Sequence, residues 1–435
     1  MTATTRRAFL RGAALAGGAS AAGLSLSSCA TPITAAGSES NLQYWNFFGG
    51  GDGERMIALV DTFRTERPEI DLTATTLAWG SPYYTKLAMA AAGGRPPDIA
   101  TIHLSRLPTF AEHLLDPWDL DKLAELGIQE ADFPAPLWEM ATRDGELFAV
   151  PLDVHPLVTF ANTDICAEAG LLDADGGLKP ITSPEELLAA AKACAEVTGG
   201  IGIAYPAADG FVSWMLFWTL YRQLGGTFDL PPGGKVGVDE EKLLTVFRFL
   251  REFTDGEAVP TTLDAAGSIA LFASGKAGLC FTGDWEVTTY LNSEIPFTMV
   301  PFPPVFGENR VRADGHALVL PQQIEVDQGR ENAYLFAASL LKNSLGWAAG
   351  GHIPAYGPVA DSDEYLAMQP QSNIREVADT VQFDPIAYFS GTGSNLMWEA
   401  GRILFSVHSG TVTPEQAVDQ LVSWMQKQLD TPSPV

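Results

Sequence analysis

Gly275-Lys276-Ala277-Gly278-Leu279-Cys280-Phe281-Thr282-Gly283-Asp284-Trp285 reads as a turn, a short apolar strand and a second turn that ends on an indole. Ligands of open α/β sheets lie outside the carboxyl ends of strands. A flat ring there, beside a glycine that admits close approach, suits a sugar ring with one apolar face and many hydroxyls. The same Trp285 would equally serve as a core residue, and the stretch alone leaves both readings open.

Working outward, strands and helices alternate. A short helix (267–274) precedes the stretch; strands at 297–304 and 316–321 and a helix at 329–343 follow it. Upstream, residues 201–205 read as a strand. Residues 211–224 read as a helix carrying Trp214, Phe217, Trp218 and Tyr221, more aromatics than one buried stripe needs. Most are core by this reading, with Trp214 the candidate to reach a cleft. Further back lie a strand at 41–48, a glycine loop at 49–53, a helix at 54–64, strands at 69–77 and 99–103 and a helix at 85–92 between them. Residues 146–162 form a long extended run whose polar groups, Asp153 and His155, come late. Ser183-Pro184 starts another helix, and helices at 394–409 and 414–428 close the chain. Alternating elements of this kind predict an α/β fold. The loop at 49–53 is neither a Walker A nor a GxGxxG spacing, which argues against a nucleotide site.

With 435 residues and 46% hydrophobic composition, the chain has room for two cores. Its 53 acids against 26 bases give a net charge of −27, which argues against nucleic acid and anionic lipid as partners. Thr5-Arg6-Arg7-Ala8-Phe9-Leu10-Arg11 is a twin-arginine pattern ahead of a small, weakly apolar run. That run ends in Leu26-Ser27-Ser28-Cys29, which looks like a lipobox. Residues 1–28 are therefore expected to be a signal peptide, Cys29 the lipidated N-terminus and residues 29–40 a flexible tether. The remaining cysteines, Cys166, Cys194 and Cys280, are odd in number and fit no zinc pattern. A Cys166–Cys194 bridge and three buried thiols both remain open.

The landmarks taken together resemble the family 1 extracellular solute-binding proteins of ABC importers, the maltodextrin-binding group. They are Trp45-Asn46-Phe47 with its glycine loop; Gly94-Arg95-Pro96-Pro97-Asp98-Ile99; Leu147-Phe148-Ala149-Val150-Pro151-Leu152; Asn162-Thr163-Asp164 with Ala169-Gly170-Leu171; Gly275-Lys276-Ala277 with Gly283-Asp284-Trp285; Gly351-His352-Ile353-Pro354; and Thr413-Pro414-Glu415-Gln416-Ala417. Their order and spacing carry the resemblance across residues 41–428. It implies a two-lobed periplasmic-binding-protein fold of type II, with a hinge and an interlobe cleft. The implied lobes are 41–153 plus 316–357 and 154–315 plus 358–435. It also implies a monomer without catalysis or cofactor, a di- or oligosaccharide ligand, and permease subunits as partners. The membrane is touched only through the N-terminal lipid. Ligand contacts of the family map to Asn46 through Gly50, to His103 through Arg106, to Asp153 and His155, to Trp214 or Met215, to Gly283 through Trp285, and near Trp398. Where many members have Tyr-Tyr-Asn this chain has Phe160-Ala161-Asn162. Where many have Pro-Ala-Arg it has Pro354-Ala355-Tyr356, and losing that arginine weakens the reading of an anionic ligand.

Sugar recognition needs aromatic faces and a dense set of hydrogen-bonding groups. Trp45, Phe48, Trp79, Tyr83, Trp214, Trp285, Tyr356 and Trp398 are the candidate faces. Asp52, His103, Arg106, Asp153, His155, Asp284, His316 and His352 are the candidate polar partners, with Asn46, Gly50 and Gly283 shaping the loops. Scattered histidines also serve as structural hydrogen-bonders. A metal centre would need these histidines to converge, and no H-x-H or HExxH spacing occurs, so none is expected. Two other readings stay open. One is a glycoside hydrolase using a carboxylate pair such as Asp153 and Asp284; the other is the same fold binding a glycerophosphodiester or polyol phosphate.

Overall fold

A computed structural model of the chain describes residues 41–432. The twin-arginine segment, Cys29 and the tether lie outside the described residues. Strand β1 (Asn41–Asn46) leads into helix α1 (Gly50–Glu66), strand β2 (Asp71–Thr76), helix α2 (Ser81–Ala92) and strand β3 (Ile99–His103). β1 lies between β2 and β3, parallel to both, as βαβ connections require. The sequence places a glycine loop ahead of a helix at 54–64, yet the helix begins at Gly50. Gly49, extended at φ −125° and ψ 173°, is its N-cap, and Asp52 sits in the first turn, where the helix dipole favours an anion.

Strand β4 (Ala149–Pro151) and strand β5 (Asp153–Asn162) are separated by Leu152 alone, and β5 is buried along its whole length. Helix α3 (Gly210–Gln223), strand β6 (Leu279–Gly283), strand β7 (Phe297–Pro301) and strand β8 (Val311–Asp314) follow. β8 passes through Gly315 into strand β9 (His316–Pro321). Strand β10 (Ile353–Pro354) lies in a segment expected to be loop, and helix α4 (Asn395–His408) starts behind the N-cap Ser394.

The first sheet runs β2-β1-β3-β9 and ends on the short strand Leu115–Asp116, with β4 also on β9. In the second sheet β5 is the hub, antiparallel to β6, β7, β8 and β10. Ile203–Ala204 extends that sheet beyond β6, and Val381–Gln382 extends it beyond β8. α3 and α4 pack together on the second sheet, and the rings of Trp214, Phe217, Trp218 and Tyr221 are buried there. Cys166, Cys194 and Cys280 are buried free thiols. Among the described residues no helix is long and apolar enough to cross a membrane.

The chain changes sheets at Leu152 between β4 and β5, at Gly315 between β8 and β9, and again between β9 and β10; the first two points are adjacent. The Leu152 N–H donates to the His316 carbonyl at 2.8 Å, and the Leu104 N–H donates to the Gly315 carbonyl at 2.8 Å. A side chain at Gly315 would overlap the Asp153 carbonyl oxygen, so only glycine fits between the crossing strands.

Candidate ligand-binding site

The crossings bring four histidines together. His103 ends β3 and is the register partner of His316, the first residue of β9. His155 shares a face of β5 with Asp153, two residues earlier. His352 immediately precedes β10, whose Ile353 pairs with Val154. The imidazole centroids are 4.4 Å apart for His155 and His316, 5.0 Å for His103 and His316, 5.6 Å for His316 and His352, and 5.9 Å for His155 and His352.

Asp153 organises this cluster from beneath. Its carboxylate accepts from His155 Nδ1 (3.1 Å), His316 Nδ1 (2.7 Å), the His316 backbone N–H (2.8 Å) and Trp347 Nε1 (2.5 Å). Burial opposes its ionisation, but the neighbouring His316 and the bonds from His155 and His316 hold its pKa well below the usual carboxylate range. A carboxylate only accepts, so both imidazoles carry their proton on Nδ1 and turn Nε2 outward. His103 Nδ1 is bonded to the Tyr84 hydroxyl at 2.5 Å. Burial, then the neighbouring imidazoles His316 and His155, push the His103 pKa well below 6.5; burial and then His316 bring that of His155 to about 4. Both rings are uncharged at neutral pH.

His352 differs. Its Nε2 meets Asp52 Oδ1 at 3.1 Å, and its Nδ1 lies 3.7 Å from Asp284 Oδ1. Burial works against its charge, yet Asp52 raises its pKa to about 10 and is itself held below the ordinary value. Asp284 is fully buried with neither oxygen hydrogen-bonded, and burial raises its pKa well above the usual carboxylate range beside the Asp52–His352 ion pair.

These groups floor a cavity of about 550 Å³ that receives side chains from both sheets. Phe47 stacks on His103 at 4.7 Å, and Phe48 meets His316 edge-on at 4.8 Å. On the facing side Trp285 and Phe211 lie parallel, 5.7 Å apart and 2° from coplanar directions. Trp79, 37% exposed, reaches Phe211 from the first-sheet side at 5.9 Å and marks the rim. Trp398, 45% exposed, stands against Trp79 outside the lining. The acidic lining groups are Asp52, Asp209 and Glu286, beside the four histidines; among the described residues neither lysine nor arginine lines the cavity.

Against this geometry the comparisons are informative. A family model described as bacterial extracellular solute-binding protein matches residues 50–338, more than half of the chain. The chain belongs to the bacterial extracellular solute-binding protein family. A probable sugar-binding periplasmic protein of Rhizobium meliloti (strain 1021) is 25% identical over 77% of this chain and 81% of that protein. An arabinooligosaccharide-binding protein of Halalkalibacterium halodurans is 24% identical over 48% of this chain, which spans under half (44%) of that relative. Among solved structures, the GacH receptor of Streptomyces glaucescens, determined unliganded and with acarbose, superposes with a TM-score of 0.73 at 19% identity, covering 89% of this chain and 98% of that one. The cyclic alpha-maltosyl-1,6-maltose binding protein of Arthrobacter globiformis gives 0.69 at 20% identity, covering 90% and 99%. The architecture is therefore the two-lobed α/β fold of maltose-binding-like proteins, and the named relatives are binding proteins.

Not every expected residue of this solute-binding protein reaches the cavity. Trp214 is sealed in the core of α3, stacked on Trp218 and bonded through Nε1 to Asp384 at 2.8 Å. Tyr356 points the other way and donates to the Gly127 carbonyl at 2.9 Å. Trp45 alternates to the opposite face of β1, where Lys86 covers its ring at 5.1 Å. Tyr83 lies beneath Phe47, its hydroxyl bonded to the Thr101 carbonyl at 2.7 Å. Arg106 lies over the Tyr84 ring and donates to the Ser390 carbonyl at 3.1 Å. Asn46 caps the β1 turn by accepting from the Phe48 N–H, and Gly49 takes the lining place expected of Gly50. Asp153 and Asp284 lie under the floor, not in it. Gly283 makes room for the ring of Trp285, which a side chain there would strike; it is not an opening for a ligand.

Phe47, within the expected contact range, lines the cavity, and so do Phe211 and Glu286, which the sequence does not mark as ligand contacts. The signal for Phe211 was its position: it follows the N-cap Asp209, and helix starts in α/β folds face the cleft.

Proposed function

We propose that this chain captures a di- or oligosaccharide in the cavity between its lobes and delivers it, chemically unchanged, to the permease of an ABC importer. The observation that carries the reading is the pairing of aromatic walls from both sides, Phe47, Phe48 and Trp79 against Trp285 and Phe211, over a floor of imidazole nitrogens. Rings cover the C–H faces of a sugar, and the nitrogens meet its hydroxyls. The names of the sugar-binding relatives support the same ligand class.

A ligand touching both walls stabilises the shut state over the open one, whereas a ligand held by one wall would shift nothing. Residues 41–153 with 316–357 then form one lobe and 154–315 with 358–435 the other, turning about Leu152 and Gly315. Export through the twin-arginine signal and lipidation at Cys29 place the protein on the outer face of the cytoplasmic membrane, working as a monomer. A hydrolase is disfavoured because Asp153 is saturated by donors and Asp284 is sealed. A phosphate ligand is disfavoured by a lining with neither lysine nor arginine.

Calorimetric titration with a panel of mono-, di- and trisaccharides tests the reading, followed by chromatography of the recovered sugar. Saturable binding of at least one di- or trisaccharide, recovered intact, is expected. Hydrolysed sugar, or binding confined to phosphate esters, would overturn it.

A further inference from the structure

We propose that His103, His155 and His316 hold a divalent transition-metal ion of the zinc class at the floor of the cavity. One ring nitrogen of each lies within 4.8 Å of the others. The Nδ1 atoms are occupied, by Asp153 for His155 and His316 and by Tyr84 for His103, which leaves the Nε2 atoms as ligands. All three rings line the cavity, so these atoms face open space and not a protein partner.

Three points favour a metal over a set of structural imidazoles. Imidazole suits zinc, nickel and copper, while calcium and magnesium want oxygen. Metal-binding histidines characteristically donate their second N–H to a carboxylate, which fixes the ring and raises its basicity. Here one carboxylate does this for two of them, and the Tyr84 oxygen, which already accepts from the His103 backbone N–H at 3.1 Å, is placed to accept from the third. Three protein ligands with a remaining position toward open space is the arrangement of an accessible zinc site. Zinc–nitrogen bonds of ~2.1 Å put tetrahedral ligands ~3.4 Å apart, so nitrogens up to 4.8 Å apart would close by up to ~1.4 Å.

A second grouping, Asp153, His155 and His352, also converges. It is the poorer site, because Asp153 is saturated with donors and His352 is engaged by Asp52. The ion would lie below the aromatic walls with its free position toward the ligand space. The ion would take Nε2 atoms otherwise free for hydroxyls, but its binding needs no sugar, so titration with the ion alone tests it apart from the sugar reading.

The test uses the purified full chain, stripped with a chelator and titrated with Zn²⁺ alone in a calorimeter at neutral pH. One equivalent is expected to bind, with affinity falling at least ~100-fold in His155→Ala and in His316→Ala, and ~10–100-fold in Asp153→Asn. His408→Gln, remote from the cavity, should bind as the parent does. Circular dichroism checks that the variants fold. Should they not, Co²⁺ added to the parent gives an independent reading: intense visible absorption of a tetrahedral nitrogen site is expected, and its absence counts against the proposal. No stoichiometric binding, or binding unchanged in the His155→Ala/His316→Ala double variant (an adventitious ion only), would overturn it.

Discussion

Two buried polar clusters flank the same pair of crossings, and they differ in what they leave free. Around Arg312 the guanidinium reaches Asp384 at 2.8 Å and Thr392 at 2.6 Å. Asp384 accepts from Trp214 as well, and Asp314 accepts from Thr392, Ser105 and the Gly315 N–H. That cluster closes on itself, with Arg312 Nη1 as its loose end. One register step away, where Asp314 pairs with His155, Asp153 gathers its donors and turns imidazole nitrogens into open space. Both bury an aspartate completely. The first spends its hydrogen-bonding capacity on the protein, and the second keeps part of it for something that arrives from outside.

The contrast can be broken most sharply at the closed cluster. Asp384→Ala removes the carboxylate that Arg312 meets at 2.8 Å, leaving it only Asp314 at 3.6 Å, and should cost about 3–5 kcal/mol in urea denaturation. A loss under about 1 kcal/mol would mean that the cluster does not hold the fold.

Next in size is a pH effect at a histidine that is sealed, unlike the cavity four. His408 is fully buried in α4 between Tyr205 (3.4 Å) and Thr254 (3.2 Å), and burial pushes its pKa down to about 4. In the unfolded chain it protonates near its ordinary value of about 6.5. Between those values the unfolded state binds more protons, so stability is intact above pH ~6.5 and falls as pH drops toward 4, by roughly 3 kcal/mol in all. His408→Gln should remove that share of the slope in melts across this window. An unchanged slope would refute it.

The smallest effects separate the two sides of β1 and the cavity wall. Trp285→Ala should weaken sugar binding by about 1–3 kcal/mol in calorimetric titration. Trp45→Ala, on the outward face, should leave affinity within about 0.5 kcal/mol. Equal losses at both would show that the cavity is not where the sugar sits.

Much of the fold was legible because it is written locally. Ser183 with Pro184 starts its helix where the sequence places it, Thr413 and Gln416 form a capping box, and β9 runs from His316 to Pro321 as expected. The four histidines were legible as candidates for one site, but their close approach to one another was not. It depends on β3 and β9 meeting antiparallel with His103 opposite His316, a register between strands distant in the chain that no short motif records. Within α3, Phe211 and Trp214 lie on neighbouring faces one turn apart, so periodicity does not choose between them. Depth does: Phe211 sits at the mouth and Trp214 inside.

The glycine at 315 has a mechanical meaning beyond its fit. Because the strands touch there backbone to backbone, no side chain cushions the contact, and the rings of Trp79 and Trp285 stand close by, 6.2 Å from His103 and 6.1 Å from His155. Adding one methyl group at 315 would therefore be felt as a jaw set to a different gape.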